Sequence, residues 1–320
     1  MKSCSWFARQ NRAVRRAMAV LALLSILAGA AACGGTTPAT SAASQKIQVR
    51  DDLNHVVTLA HPAHRLVVLE PSAFEIVDAL GLRRDIVGVS TAVPSYTPGA
   101  WRAAAHGLPS VGTSYPGVSA EQIASRRPDL VIATTGITGL GGLKALHIPV
   151  MVLNPQSVSA VYHDIQLVGQ VTGTSRRAST LIKHCRSQLQ ALSARALARP
   201  GRPLVFYDLG GLYTSGPHTF INTLIQMAGG VNLGARLSKQ QWPAVTAEKV
   251  VAGNPAIILI DPHAGSVAKE RALPGFASTR AGAHGKILAI PHSSYLNEPS
   301  LGLVQGLREL IQLIHPHALS

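Results

Sequence analysis

Short runs of aliphatic and β-branched residues alternate along the chain with longer stretches of mixed polarity. Leu66–Leu69 (LVVL), Ile86–Val89 (IVGV), Leu130–Ala133 (LVIA) and Val150–Leu153 (VMVL) contain no polar side chain. Strands apolar on both faces belong to parallel sheets covered on both sides, and the intervening stretches supply the covering helices. Those helices are expected to open at Ser72, Ser119 and Gly139. The pattern then recurs, with strands at Leu204–Tyr207, Ala256–Ile260 and Ile287–Ile290 and helices opening near Thr219, Thr246 and Pro299.

The two halves can be laid on each other. Ser119-Ala-Glu121-Gln-Ile123 followed by Pro128-Asp-Leu-Val-Ile132 matches Thr246-Ala-Glu248-Lys-Val250 followed by Pro255-Ala-Ile-Ile-Leu259, every pair being 127 residues apart. Such self-similarity is the mark of two related units. Between them, Ser175–Ala198 lacks Gly and Pro and sets Leu181, Ile182, Cys185, Leu189 and Leu192 at helical spacing. At ~1.5 Å per residue this helix spans about 36 Å, enough to run along one unit and enter the next. Cys185 lies on its apolar stripe and reads as a buried core thiol. The expected fold is α/β: two doubly wound, Rossmann-like lobes joined by a single long helix, with a ligand cleft between them. The expected boundaries are 47–160 for the first lobe, 161–200 for the helical connection and 201–320 for the second lobe.

Composition adds an address. Residues 1–16 hold Lys2, Arg9, Arg12, Arg15 and Arg16 and no acid; Ala17–Ala32 is uncharged and apolar; Cys33 follows three alanines. A basic segment, a short apolar segment and small residues before a cysteine read as a lipoprotein signal peptide (1–32) with Cys33 as the lipidation site. Sixteen apolar residues fall short of the ~20 needed to cross a bilayer. Residues 33–46 are small and polar and read as a flexible tether. The product is expected outside the cell membrane, lipid-anchored to its outer face or periplasmic, and monomeric.

The formal charge of +14 falls to +9 without the leader, 24 Lys+Arg against 15 Asp+Glu. The positive charges stand in pairs such as Arg83-Arg84, Arg126-Arg127 and Arg176-Arg177, without the dense basic-aromatic runs or zinc-finger spacing of nucleic-acid binders. Nucleic acid is therefore not expected as a partner, and the basic balance points to anionic surroundings or ligands. Three cysteines make no disulfide framework for 320 residues. No GxSxG, HExxH, Walker or complete GxGxxG motif is present; Gly139-Leu-Gly141-Gly142 lacks the third glycine in place. No enzyme, cofactor or metal centre is assigned, although thirteen histidines leave open a direct metal binder with three or four convergent ligands.

Five segments, in order, carry a family resemblance: residues 49–90, 108–133, 213–233 (YTSGPHTFINTLIQMAGGVNL), 242–260 (WPAVTAEKVVAGNPAIILI) and 285–291 (GKILAIP). Together they resemble the metal-chelate family of ABC-importer substrate-binding lipoproteins, which carry iron-siderophores, haem and cobalamin. The resemblance implies capture of a chelate between two lobes, delivery to permease subunits in the membrane, and little lobe closure. It also implies that Glu121 and Glu248, one per lobe, dock onto permease arginines. Each Glu also sits two residues after a Ser/Thr cap, where the helix dipole alone favours an acid by ~0.3–1 kcal/mol. Ser72-Ala-Phe-Glu75 reads as a capping box whose Glu reaches back to the cap, with no further role.

The implied ligand positions are Trp242 and Tyr213, with Tyr96, Tyr115, Tyr295, His292 and Asn297 in loops after strands. Cobalamin binders of this family place aromatics where this chain has Thr91-Ala92, Ser114 and Thr134, and an arginine-rich loop where it has Ser293–Glu298. Those departures favour an iron-siderophore, with cobalamin or haem next. Bare-metal binding through histidines, or a sensor signalling to a membrane partner, are the alternatives.

Overall fold

In a computed structural model, which describes residues 46–319, the chain opens on an antiparallel hairpin, β1 (Ile47–Arg50) and β2 (Val56–Leu59), with Ile47 opposite Leu59. The expected signal peptide, Cys33 and all but the last residue of the tether lie outside the described residues. Four parallel strands follow: β3 (Leu66–Val68), β4 (Ile86–Val89), β5 (Leu130–Thr134) and β6 (Val150–Leu153), in the order β4-β3-β5-β6. The second sheet holds β7 (Leu204–Asp208), β8 (Val231–Asn232), β9 (Ile257–Ile260) and β10 (Ile287–Ala289), in the order β10-β9-β7-β8. Counted from the second strand of each, both sheets run second-first-third-fourth. The halves therefore share a topology as well as a sequence motif. The 127-residue offset is kept at the matching elements, since β5 begins at Leu130 and β9 at Ile257.

Strand residues alternate between two environments, as a pleated sheet requires. Leu66, Val68, Leu130 and Ile132 face one cluster, while Val67, Val131 and Ala133 face another that belongs to the first lobe alone. In the second lobe, Val205, Tyr207, Ile257 and Leu259 join the first cluster, and Phe206, Ile258 and Ile260 form a private one. The shared cluster passes through the linking helix, Ser175–Leu197, which buries Ala178, Leu181, Cys185, Leu189, Leu192 and Ala196. This helix packs on the helices Val158–Val171 and Leu303–Ile314. A fully buried Leu is worth about 1.5–3 kcal/mol, so a core running unbroken through both lobes opposes any hinge that would split it. No helix among the described residues is long and apolar enough to cross a membrane.

Three local expectations need correction. Ser72 does not cap its helix, which runs Pro71–Ala79 with Glu70 at the cap position and no side-chain cap bond. Pro71 explains the shift: it needs no partner for a missing N–H and its fixed φ suits the first helical position. Glu75 consequently does not reach back to a cap; its Oε2 accepts from the Gly302 N–H at 3.1 Å, 227 residues away on the other lobe. The helix expected from Pro299 begins at Leu303, and a separate short helix, Ser294–Asn297, precedes it.

Candidate functional site

The carboxyl ends of both sheets face a cavity of about 140 Å³, lined by Gln156 from the first lobe and by His218, Gln241, Trp242, Asn297 and Pro299, among others, from the second. Ligands of open α/β sheets bind at such strand ends. His218 stands before the helix Phe220–Met227 with φ of 62°, a left-handed conformation uncommon for a residue with a side chain. Next to it, Thr219 closes the helix start, its hydroxyl accepting from Asn222 N–H at 3.1 Å and donating to the Gly216 carbonyl at 3.0 Å. Trp242 is held by paired backbones: Thr214 N–H donates to the Pro243 carbonyl at 2.9 Å, and Tyr213 bridges to Ala244. Trp242 remains 39% exposed and Tyr213 43%, which leaves two aromatic surfaces for a ligand on neighbouring segments.

Asn297 is fixed from below. Tyr207 Oη donates to its Oδ1 at 2.7 Å, and its Nδ2 donates to Asp261 Oδ2 at 2.5 Å. Asp261 Oδ1 in turn accepts from Ser293 Oγ at 2.9 Å. Burial first, then the charge of Asp261, pushes the Tyr207 hydroxyl far above the usual phenol range, so it stays a donor. Both amide atoms of Asn297 are thus held in place where the residue lines the cavity.

The first lobe contributes a polar rim. Tyr115 Oη donates to the Thr135 carbonyl at 3.4 Å, Thr135 Oγ1 meets Asn154 Oδ1 at 3.2 Å, and Gln156 Nε2 donates to the same oxygen at 3.0 Å. Behind this rim, carboxyl groups from both lobes share one seam. Burial, then the charge of Glu298, pushes Glu70 up to about 7. Burial is also the main reason why Glu75 rises to about 8, and burial raises Glu298 as well. Among the described residues, no Lys or Arg lies within 4.0 Å of a carboxylate; the ion pairs present all use histidine.

The sequence-predicted residues divide. Trp242 and Asn297 line the cavity, Tyr213 adjoins Trp242 through its strand bridge, and Tyr115 stands on the rim. Tyr96, 67% exposed, ends the short helix Ala92–Tyr96 and does not line the cavity. Tyr295 is 7% exposed and fills the space left by two glycines, one per lobe: a β-carbon on Gly99 would meet its hydroxyl, and one on Gly302 its ring. His292 pairs through Nδ1 with Glu309 Oε1 at 2.8 Å and leans on Tyr295, their ring centroids 5.7 Å apart. Sequence reasoning missed Gln156, His218 and Gln241. Asn154-Pro-Gln156 directly after an apolar strand and Gly216-Pro-His218 directly before a Thr cap are the signals that could have found them.

Glu121 and Glu248 occupy matching helix starts, in Ala120–Ala124 and Ala247–Gly253, and both are exposed. Ser119 Oγ donates to Glu121 Oε2 at 2.9 Å. The Glu121 carboxyl is held below its usual range by its own backbone N–H and then Ser119; Glu248 is held down by Thr246 and then its own N–H. Each is therefore a fixed negative charge at neutral pH. Among the described residues, no three His, Cys, Asp or Glu side chains converge as a metal ion would require.

Comparison with known proteins agrees with this architecture. The chain is 28% identical to the uncharacterized ABC transporter substrate-binding lipoprotein YvrC of Bacillus subtilis, across 94% of this chain and 98% of that one. It is 28% identical to a cobalamin-binding protein of Halobacterium salinarum, across 87% of this chain and 76% of that one. Among solved structures, the periplasmic heme-binding protein RhuT of Roseiflexus sp. RS-1 superposes with a TM-score of 0.68 at 27% identity, covering 80% of this chain and 99% of that one. A possible iron-binding periplasmic solute-binding protein of Staphylococcus epidermidis shares the fold with a TM-score of 0.70 at 22% identity, covering 79% and 99%. The periplasmic binding protein family model matches residues 66–293, from the first strand of the first sheet to the loop after the last strand of the second, and the chain belongs to that family.

Proposed function

We propose that the protein is the extracytoplasmic receptor of an ABC importer for a metal chelate, and that its chelate is an uncharged or weakly charged, amide-rich one of the corrinoid type. The observation that carries this reading is the cavity lining: an indole face, three primary amides (Gln156, Gln241 and Asn297) and no Lys or Arg. A tricatecholate or the propionates of haem would need cations to offset desolvation, and the nearby seam offers Glu70 and Glu298 instead. Peripheral amides pair well with amides, and a flat macrocycle gains about 0.5–1.5 kcal/mol on an aromatic face beyond burial. The cavity is smaller than the ~300–1,000 Å³ of typical small-molecule sites, so the chelate would extend outward past Tyr213. The named cobalamin-binding relative supports the same reading.

A neutral ferric hydroxamate is the second reading, favoured by Thr91, Ala92, Ser114 and Thr134 where cobalamin binders carry aromatics. In either case the receptor does no chemistry; lipid on Cys33 would hold it at the membrane, and Glu121 and Glu248 would meet the permease. Calorimetric titration of the mature chain (33–320, Cys33→Ser) with a corrinoid, a ferric trihydroxamate, a ferric tricatecholate, haem and Zn²⁺ tests it. Saturable binding of the corrinoid is expected. Binding of the hydroxamate alone would move the assignment to the second reading, and a response to Zn²⁺ alone would overturn both.

A further inference from the structure

The positive charge of this protein is not spread evenly. Residues 165–207 contain Arg176, Arg177, Lys183, Arg186, Arg195, Arg199 and Arg202 and no Asp or Glu, so seven of the net nine charges of the described body sit on 43 residues. The rest of the body is close to balanced, with 17 Lys+Arg against 15 Asp+Glu. All seven side chains are exposed, most of them along the linking helix, whose 23 residues span about 34 Å. The bonds they make are to neutral groups: Arg177 donates to the Leu80 carbonyl at 3.0 Å, Arg199 to the His317 carbonyl, and Arg186 lies 5.2 Å above the Tyr162 ring centroid. Their charge is left uncompensated. Within this surface, a pocket of about 190 Å³ is lined by Gln188, Ala191, Leu192, Arg195 and Arg308, and neither arginine has a hydrogen-bond or ion-pair partner among the described residues.

We propose that the outward face of the linking helix is a docking surface for an anionic lipid bilayer, with headgroup phosphate entering the pocket between Arg195 and Arg308. A bilayer is the occupant with matching charge and extent: a plane of phosphates can meet basic groups along the whole helix, where a single small anion would engage only the pocket. It is also within reach. Twelve residues separate Cys33 from Lys46, and even fully extended this stretch spans only about 45 Å, so a lipid on Cys33 would keep the body within reach of the membrane. Basic residues near an anionic surface each add a modest, salt-screened attraction, and several together hold a body in one orientation. No residue of the cavity belongs to this helix, and neither do Glu121 or Glu248. A receptor resting on this helix keeps the residues of its cavity off the bilayer.

Flotation of the unlipidated mature chain (Cys33→Ser) with vesicles tests this apart from the anchor. Association is expected with phosphatidylglycerol-containing vesicles, not with pure phosphatidylcholine, and should disappear at high salt. The triple variant Arg176→Gln, Lys183→Gln, Arg195→Gln should lose about tenfold in bound fraction. A control triple of equal charge, Arg84→Gln, Lys144→Gln, Arg236→Gln, should lose little, both triples keeping the wild-type circular dichroism. Equal loss in the two triples would reduce the effect to net charge and overturn the assignment. So would binding to soluble polyphosphate without binding to vesicles, or no association with anionic vesicles at all.

Discussion

A carboxyl group that is 1% exposed, with one oxygen on a backbone N–H of the other lobe and no cation beside it, is more stable protonated than charged. For Glu75, raised from 4.5 to about 8, the folded chain keeps a proton over this window that the unfolded chain has already lost. Stability should therefore fall as pH rises from about 5 to 8, by up to ~1.4 kcal/mol per unit from such a group. Glu270, raised to about 8, and Asp164, raised to about 9, both mainly by burial, act in the same sense. Calorimetric melting should show Tm declining over this range and declining less steeply in Glu75→Gln, which keeps the neutral form at every pH. Identical slopes in the two proteins would remove Glu75 from the account. The sequence offered a local partner for this residue, a cap three positions earlier, and that reading fails. The actual partner is 227 positions away, and no periodicity encodes it.

At the scale of elements, what was legible is what short-range pattern determines. Seven apolar runs became strands, buried on both faces at the centres of the sheets and partly exposed in β10, where Ala289 is exposed. The long helix followed from Leu181, Cys185, Leu189 and Leu192 recurring every three or four residues. The 127-residue repeat survives as two capped helices feeding two central strands. The hairpin β1–β2 and the two-residue β8 were not foreseen, since edge pairings of this length carry little hydrophobic signal. The cavity was half legible: Trp242 and Asn297 were named, whereas Gln156 and His218 depend on how loops from both lobes meet. The repeat also makes a symmetrical prediction. Ser119→Ala and Thr246→Ala each remove a hydroxyl accepting a helix N–H, at 3.2 and 3.4 Å, and each should cost about 1 kcal/mol in urea denaturation. Their Glu neighbours should also titrate closer to the ordinary carboxylate range by NMR, having lost a donor.

For the whole molecule, one apolar cluster continuous from Val49 through the linking helix to Ile314 ties the lobes together. The same cluster argues that binding alters the cleft by small adjustments, since wide opening would expose Leu189, Leu192 and Leu303 to water. Under the proposed function, recognition by the transporter would use fixed surface features, and Glu121 and Glu248 fit that role, exposed and ionised at equivalent places. Glu121→Ala combined with Glu248→Ala should abolish uptake in cells while chelate affinity stays within about twofold, as expected when rim charges set register more than affinity. Loss of chelate affinity in that variant would place the two residues in the binding site.

The central claim is that a chelate is held against Trp242 between the lobes, and Trp242 is itself the reporter. The described body has two tryptophans, Trp101 and Trp242, and Trp101 packs against the core while Trp242 lines the cavity. In a Trp101→Phe background, titration with a corrinoid should quench the remaining indole saturably, with a blue shift as water leaves its face. Trp242→Phe should then weaken binding by about 1–3 kcal/mol in calorimetry. An indole that stays unquenched while a chelate binds, or that responds to bare metal ion and to no chelate, would contradict the account.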